Sequence, residues 1–563
     1  MTRGPARVQF VLALHSHLPY VLNHGRWPHG SDWLCEAAVD TYLPLLETLR
    51  DLSAAKVPAP VTIGFTPVLA NQLVSPAFPP ELEAFFAQRL AACEAAPASL
   101  AKTGDDGLAP LVAFWKARLC RLRALFQSIG GDIPRAFRAL EQDGKLEIIG
   151  SAATHGYLPL LGRDESIRLQ LAVGRSEHIR IFGKEPVGCW APECAYRPAG
   201  RWTARPGAER VRRGTDEHLA DAGFRYFFTD AHLAHAGTAL GGYADVPLGA
   251  ERFDADRAGT KEPAGEPVEH TPYRAYRVGG RGTATLVRDP HSSMQIWSRH
   301  HGYPGDEWYL EFHKIRWPGG LRFWRVSGPG SDLGAKRPYE PAAATMRARD
   351  HAGHFAQLLA SVAAAPSTPA AGVIVAPFDT ELFGHWWFEG LDFLNAMYRR
   401  LDERRSVQAV TAGERLREHT PRTALRLAEG SWGANGDHSM WLNDRTEWTW
   451  RRLWALEDAF WAVAPGALTS PATRPILAQA ARELLLAQAS DWQFIISTNV
   501  VADYGERRFA LHCEDAERLV AALTPGDPRG LSLPEATELA ALLERRDDLF
   551  PDVLTSVATA LDV

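Results

Sequence analysis

No apolar run in this 563-residue sequence approaches the roughly 18 residues that a helix needs to cross a bilayer. The amino-terminal segment Met1-Thr2-Arg3-Gly4-Pro5-Ala6-Arg7 does not lead into the long apolar stretch and small-residue cleavage site of a secretory leader. It runs straight into a strand-like segment. Cysteine is scarce: Cys35, Cys93, Cys120, Cys189, Cys194 and Cys513 are scattered, with no CxxC pair. That speaks against a disulfide framework or a structural zinc site, and for thiols in a reducing cytoplasm. Dense Lys/Arg tracts are missing too. With a net charge of −6, the chain is not expected to bind nucleic acid, and Arg210-Val211-Arg212-Arg213 reads as the solvated face of a helix. What the chain does have is tryptophan, 18 residues of it. Several lie in polar, Gly-rich contexts where an exposed ring could stack on sugar.

Length allows two or three domains with an ample core. Seven short apolar runs read as buried strands: 7–14, 61–66, 146–153, the run ending before Glu193, 224–229, 283–287 and 372–379. Helical periodicity fills most of the gaps, at 34–52, at 80–143 with breaks at Ala96-Pro97 and Gly130-Gly131, at 164–181, at 203–221 and at 342–364. Strands alternating with helices predict a parallel α/β barrel. The last 130 or so residues are helical in pattern and predict a separate domain. The stretch 233–270 is rich in Gly, Ala, Asp and Pro, and loops of that length in a domain are functional or disordered.

Two strand ends share one design. Trp190-Ala191-Pro192-Glu193 and Ala376-Pro377-Phe378-Asp379 each close an apolar run with proline and then a carboxylate. Catalytic groups of parallel barrels sit at the carboxyl ends of strands. On its own stretch, the alternative reading of Glu193 is a surface glutamate after a strand, the weaker of the two. Two carboxylates on separate strand ends suit glycosidic bond chemistry, one attacking the anomeric carbon and one protonating the leaving oxygen. His15 and His17 top the first strand and His155 the third; His15 and His17 are either metal ligands or, better, hydrogen-bonding groups for a polar ligand. Trp432 and Trp441 flank the polar stretch 433–438, and Asp491 with Trp492 interrupts a helical run, where packing is an equal explanation for Trp492. Trp448, Trp450 and Trp454 have the spacing of core residues on one helix.

Five ordered segments carry a resemblance. His15-Ser16-His17-Leu18-Pro19-Tyr20, Ala153-Thr154-His155-Gly156-Tyr157, Trp190-Ala191-Pro192-Glu193-Cys194, Phe378-Asp379-Thr380-Glu381-Leu382-Phe383-Gly384-His385 and Ser490-Asp491-Trp492 resemble the motifs of glycoside hydrolase family 57. The resemblance extends over nearly the whole chain. It implies a (β/α)7 barrel, a distorted relative of the TIM barrel, with a small helical insert and a carboxy-terminal all-helical domain. The expected division is barrel at 1–200, insert at 201–224, barrel again at 225–415 with a mobile loop at about 233–270, and helical domain at 416–563. It also implies a retaining mechanism, with Glu193 as nucleophile and Asp379 as general acid/base. His15, His17 and His155 would line the sugar site; Trp27, Trp33, Trp297, Trp432 and Trp441 would face the cleft, joined by Asp491 and Trp492. Tyr243 matches a tyrosine on the loop over the cleft. The His15-Ser16-His17 form of the first motif favours the family members that branch 1,4-α-glucans. Alternatives are a 4-α-glucanotransferase, an α-glucan hydrolase and a catalytically silent glucan binder. The expected partner is an α-1,4-glucan, with no metal, no organic cofactor and no membrane, in a cytoplasmic monomer.

Overall fold

Alternation along the first strand sets the geometry of everything that follows. In β1 (Gln9–Ser16), Phe10, Leu12 and Leu14 join one buried cluster while Val11 and Ala13 join another. A strand buried on both faces belongs in the middle of a layered or closed sheet. A computed structural model of the protein describes residues 7–203, 209–242, 270–279, 282–298, 302–328 and 330–562. The further strands are β2 (Thr62–Phe65), β3 (Glu147–Ser151), β4 (Gly188–Trp190), β5 (Gly200–Thr203), β6 (Glu209–Arg212), β7 (Tyr226–Thr229), β8 (Thr238–Gly242), β9 (Ala275–Val278), β10 (Thr283–Val287), β11 (Val373–Asp379), β12 (Gln408–Ala409) and β13 (Thr423–Arg426).

Seven of these strands, in the order β11-β1-β2-β3-β4-β7-β10, are parallel neighbours. The sheet curls until its ends meet, with Asp289 N–H donating to the Val375 carbonyl at 2.8 Å beside an Arg288–Val375 bridge. They coincide with the seven apolar runs in the sequence. Val11, Ala13, Ile149, Trp190, Tyr226, Phe228, Ala284, Leu286, Val373 and Val375 pack against one another inside the curl. The opposite faces pack under helices such as Leu43–Ala54, Asp164–Phe182 and Pro341–Ala364. Extending the inner parity by two residues from Ala13 and by four from Val375 puts His15 on β1 and Asp379 on β11 inside the barrel mouth, in register with each other.

Three expectations need correction. Residues 200–212 form an antiparallel hairpin, β5 with β6, and only Thr215–Asp221 of the predicted insert is helical. Arg212 therefore lies on a strand and not on a solvated helix face. Its guanidinium is buried against Asp164 at 2.5 Å and stacks over Trp202. Pro97 does not break its helix, which runs from Phe78 to Thr103 and stops at left-handed Gly104. The helical region begins later than 416, since β13 pairs with β9 and β8 and belongs to the sheet. From Glu447 the chain is helical, through Glu447–Thr469, Arg474–Ala487, Asp491–Thr498, Ala502–Leu523, Leu533–Arg546 and Val553–Leu561. Among the described residues no helix is long and apolar enough to cross a membrane.

The helical region is clamped to the barrel by buried polar groups. Arg546 reaches Asp547 at 2.6 Å, Asp515 at 2.8 Å and Glu483 at 3.3 Å. His512 meets Glu483 at 2.7 Å, and His24, from the loop after β1, meets Asp547 at 2.6 Å. Removing one partner from such a cluster leaves charge buried and uncompensated. Arg546→Leu is expected to lose about 3 kcal/mol of stability, measured as a lower urea midpoint at unchanged slope.

Candidate active site

Glu193 is turned into the barrel mouth by its backbone. After β4, Ala191 and Pro192 lead to Glu193 at φ 59° and ψ 23°, followed by Cys194 at φ 46°. Two left-handed non-glycine residues in succession cost roughly 1–3 kcal/mol each and persist only where surroundings hold them. Here Cys194 N–H bonds to the Ala191 carbonyl at 2.9 Å and Trp432 N–H to the Glu193 carbonyl at 3.1 Å. The Glu193 carboxylate then receives Trp432 Nε1–H on Oε2 at 2.8 Å and the Ser490 hydroxyl on Oε1 at 3.2 Å. Burial pushes its pKa up to about 7, against these two donors.

Asp379 lives differently. Among the described residues its carboxyl has no hydrogen-bond donor, and burial raises its pKa well above the ordinary range, with the Glu381 and Glu193 charges adding to the rise and Arg288 opposing it. Two carboxyl groups in one site are thus set apart by environment. The one with two donors ionises near neutrality, and the one without them is shifted toward its protonated form.

Three histidines complete the floor. His15 stacks on Trp190 at 4.6 Å between centroids and bonds through Nε2 to His155 Nε2 at 2.9 Å. His155, itself at φ 59°, bonds through Nδ1 to Ser490 at 3.0 Å. Burial and the neighbouring His17 hold both pKa values well below the usual imidazole value, so both rings are neutral. Burial works against charge on His17, but Asp491 at 2.9 Å, with Glu381 and Glu193 nearby, overcomes it and raises its pKa. Its Nδ1 meets Thr66 Oγ1 at 2.9 Å. Apart from His15 Nδ1, the ring nitrogens of these three histidines are engaged in hydrogen bonds to protein side chains.

Set beside known proteins, residues 11–428 match the profile of glycosyl hydrolase family 57. The chain belongs to that family. Residues 455–557 match a second profile, described as the carboxy-terminal region of 1,4-α-glucan branching enzymes. The family 57 chain is 38% identical to a 1,4-α-glucan branching enzyme of Thermococcus kodakarensis over 96% of its own length and 77% of that protein's. The crystal structure of the branching enzyme of Pyrococcus horikoshii superposes with a TM-score of 0.87 at 38% identity, covering 98% of this chain and 96% of the other. An α-amylase of Thermotoga maritima superposes at 0.77 with 27% identity, covering 99% and 100%.

The family's expected site residues divide into two groups. Glu193, Asp379, His15, His17, His155, Trp432 and Asp491 converge on the barrel mouth, and Trp432 touches Glu193 directly instead of only lining a cleft. Trp297 stands at the rim, 37% exposed and 6.3 Å from the Phe378 ring next to Asp379. Trp27, 65% exposed, faces Trp317 edge-on at 5.6 Å across a recess of about 610 Å³, while Trp33 is half-buried beside His29. Two assignments fail. Trp441 is fully buried against Tyr157 at 4.5 Å, and Trp492 is fully buried with its indole N–H on the Leu486 carbonyl. Neither ring offers a face to sugar. Of the three tryptophans read as core, Trp450 and Trp454 are buried and Trp448 is exposed. Tyr243 lies outside the described residues.

Sequence reasoning passed over three neighbours of the carboxylates. Ser490 opens the fifth motif; Arg288 follows β10 and lies 5.8 Å over the Trp432 ring. Glu381, pushed up to about 7 by burial, accepts from His17 N–H at 3.1 Å and from Tyr42. Their signal was available: Glu381 is two residues from Asp379, and Arg288 ends a predicted strand.

Trp432→Phe removes a donor to ionised Glu193, so its pKa must rise. The acid limb of kcat/KM is expected to move up by about one pH unit, with the alkaline limb in place. Trp441→Phe should instead lower thermal stability while leaving KM for amylose within about twofold, as packing rather than contact with glucan requires.

Proposed function

We propose that this chain is a 1,4-α-glucan branching enzyme, which cleaves an α-1,4 linkage and passes the freed chain to a glucan 6-hydroxyl, forming an α-1,6 branch. The observation that carries the reading is the divided pair of carboxyls at the ends of β4 and β11, in a chain 38% identical to a branching enzyme over 96% of its length. In this reading Glu193 attacks the anomeric carbon of the donor as Asp379 gives its proton to the departing glycosidic oxygen. A glycosyl ester forms on Glu193, and the reducing-side fragment leaves. Asp379, now a carboxylate, takes the proton of an acceptor 6-hydroxyl whose oxygen attacks the same carbon. The ester bond breaks, Glu193 is restored, and two inversions give net retention.

The neutral His15–His155 pair and the His17–Asp491 pair would line the sugar site beside the bond that breaks. Charge on His17 also offsets part of the single negative charge that passes from Glu193 to Asp379 and back during transfer. Trp27, Trp33 and Trp297 would act further out, as partly exposed rings for glucose faces. Transfer demands that water lose to a sugar hydroxyl at the ester. The likeness to the Thermotoga α-amylase makes hydrolysis the competing outcome.

Proton NMR of amylose treated with the protein, with reducing ends assayed in parallel, separates the two. Growth of the α-1,6 anomeric signal with few new reducing ends is expected; reducing ends without that signal would make the chain a hydrolase. Glu193→Gln keeps the shape of the side chain and removes the nucleophile. It should lower turnover by at least about 10³-fold with glucan binding close to wild type; appreciable residual transfer would reject the assignment.

A further inference from the structure

Ser490 has a single hydroxyl proton and two polar neighbours, Glu193 Oε1 at 3.2 Å and His155 Nδ1 at 3.0 Å. An ionised carboxylate only accepts, so with Glu193 ionised the proton goes to Oε1 and the serine oxygen accepts from His155 Nδ1–H. In a neutral ring the other nitrogen is then bare, so His155 Nε2 accepts from His15 Nε2–H across 2.9 Å. The chain ends at His15 Nδ1, a buried nitrogen with no hydrogen-bond partner among the described residues, on the side of Gly64.

That dead end gives the chain a direction. With Glu193 protonated and donating to Ser490, every link would reverse, and His15 would bury an unpaired N–H at its Nδ1. A buried orphan donor is rarer in proteins than an under-used acceptor. The arrangement that leaves His15 Nδ1 as a bare lone pair is the one that points all three protons toward Glu193. The serine is also held in place from its own side. Ser490 N–H bonds to the His155 carbonyl at 3.2 Å, and Gly156 bridges to Ala489. At Gly156 a Cβ would come within 2.8 Å of the Gln170 amide nitrogen and 3.3 Å of the Gln488 carbonyl oxygen, so a side chain there would have to displace Gln170.

We infer that Ser490, supplied by the carboxy-terminal helices, is a positioning residue for Glu193, and that the directed series His15–His155–Ser490 orders its hydroxyl so that it donates to Oε1. This rests on reading Glu193 as the nucleophile. It makes docking of the helical region a condition for a competent carboxylate, because neither Ser490 nor its backbone anchor on His155 is formed by the barrel alone.

The test uses α-maltotriosyl fluoride as donor, since fluoride departs without a proton from Asp379 and the acid limb of kcat/KM then follows Glu193 alone. The other groups that bear on Glu193 are His17, His155, Asp379 and Asp491, with Trp432 as donor and Arg288 beside Asp379. Ser490→Ala leaves the side chains of His17, Asp379, Asp491, Trp432 and Arg288 in place and takes from His155 Nδ1 its hydrogen-bond acceptor. In the full-length protein, Ser490→Ala is expected to move the acid limb up by about one pH unit and lower the plateau about tenfold. Ser490→Thr, which keeps the hydroxyl, should restore the limb. An unmoved limb in folded Ser490→Ala overturns the inference, as does an equal shift in both variants, which would assign the effect to packing. Separately, Asp379→Asn with the same fluoride should accumulate a glycosyl ester that peptide mapping places on Glu193. An ester elsewhere would remove the nucleophile reading itself, whereas an ester on Glu193 with an unmoved limb would remove only the role of Ser490.

Discussion

Holding a carboxylate inside a protein, ionisable near neutrality yet out of bulk water, is the constraint on which this structure turns. Burial alone would keep Glu193 protonated, and solvation by water would defeat transfer chemistry. The fold resolves this with hydrogen-bond donors from far along the chain, Trp432 on Oε2 and Ser490 on Oε1. The left-handed turn at Glu193 and Cys194 aims the side chain at them, and the Trp432 backbone N–H stabilises the turn it serves. Asp379, on the opposite side of the closed sheet order, has burial and like charges but no donors, and so is shifted toward its protonated form.

The division of labour between barrel and helices follows. Parallel strands put His15, Glu193 and Asp379 at one mouth because connections return the chain to the same end each time. Among the described residues, the side-chain donors to the Glu193 carboxylate come from outside the strands. The segment 430–441 and the Ser490 turn supply them, and the ion-pair cluster around Arg546 binds the helices that carry Ser490 to the loop after β1. Stability and catalytic geometry are therefore coupled through the same contact between the two regions.

Much of this was legible in the residues. Strands buried on both faces leave continuous apolar runs, so all seven barrel strands stood out, and so did both carboxylates, since Pro192 and Pro377 mark where each run meets its functional end. The hairpin at 200–212 was not legible. Its Arg-rich segment looks solvated until Asp164 and Trp202, distant in sequence, supply a partner and a stacking surface. Trp441 and Trp492 show the converse difficulty, because an indole in a polar stretch has the same local signature whether its face meets sugar or Tyr157 and His512.

By itself the sequence determined the seven barrel strands, their parallel class, the two carboxylates and the histidines beside them, because each depends on local pattern: apolar run length, period and the proline that ends a strand. Only the tertiary structure decided which tryptophans are buried, which residues ionise, and that Ser490 and Trp432 hold Glu193 from opposite oxygens. Those properties depend on desolvation and hydrogen-bond partners roughly 240 to 300 residues apart. No local window of sequence contains them.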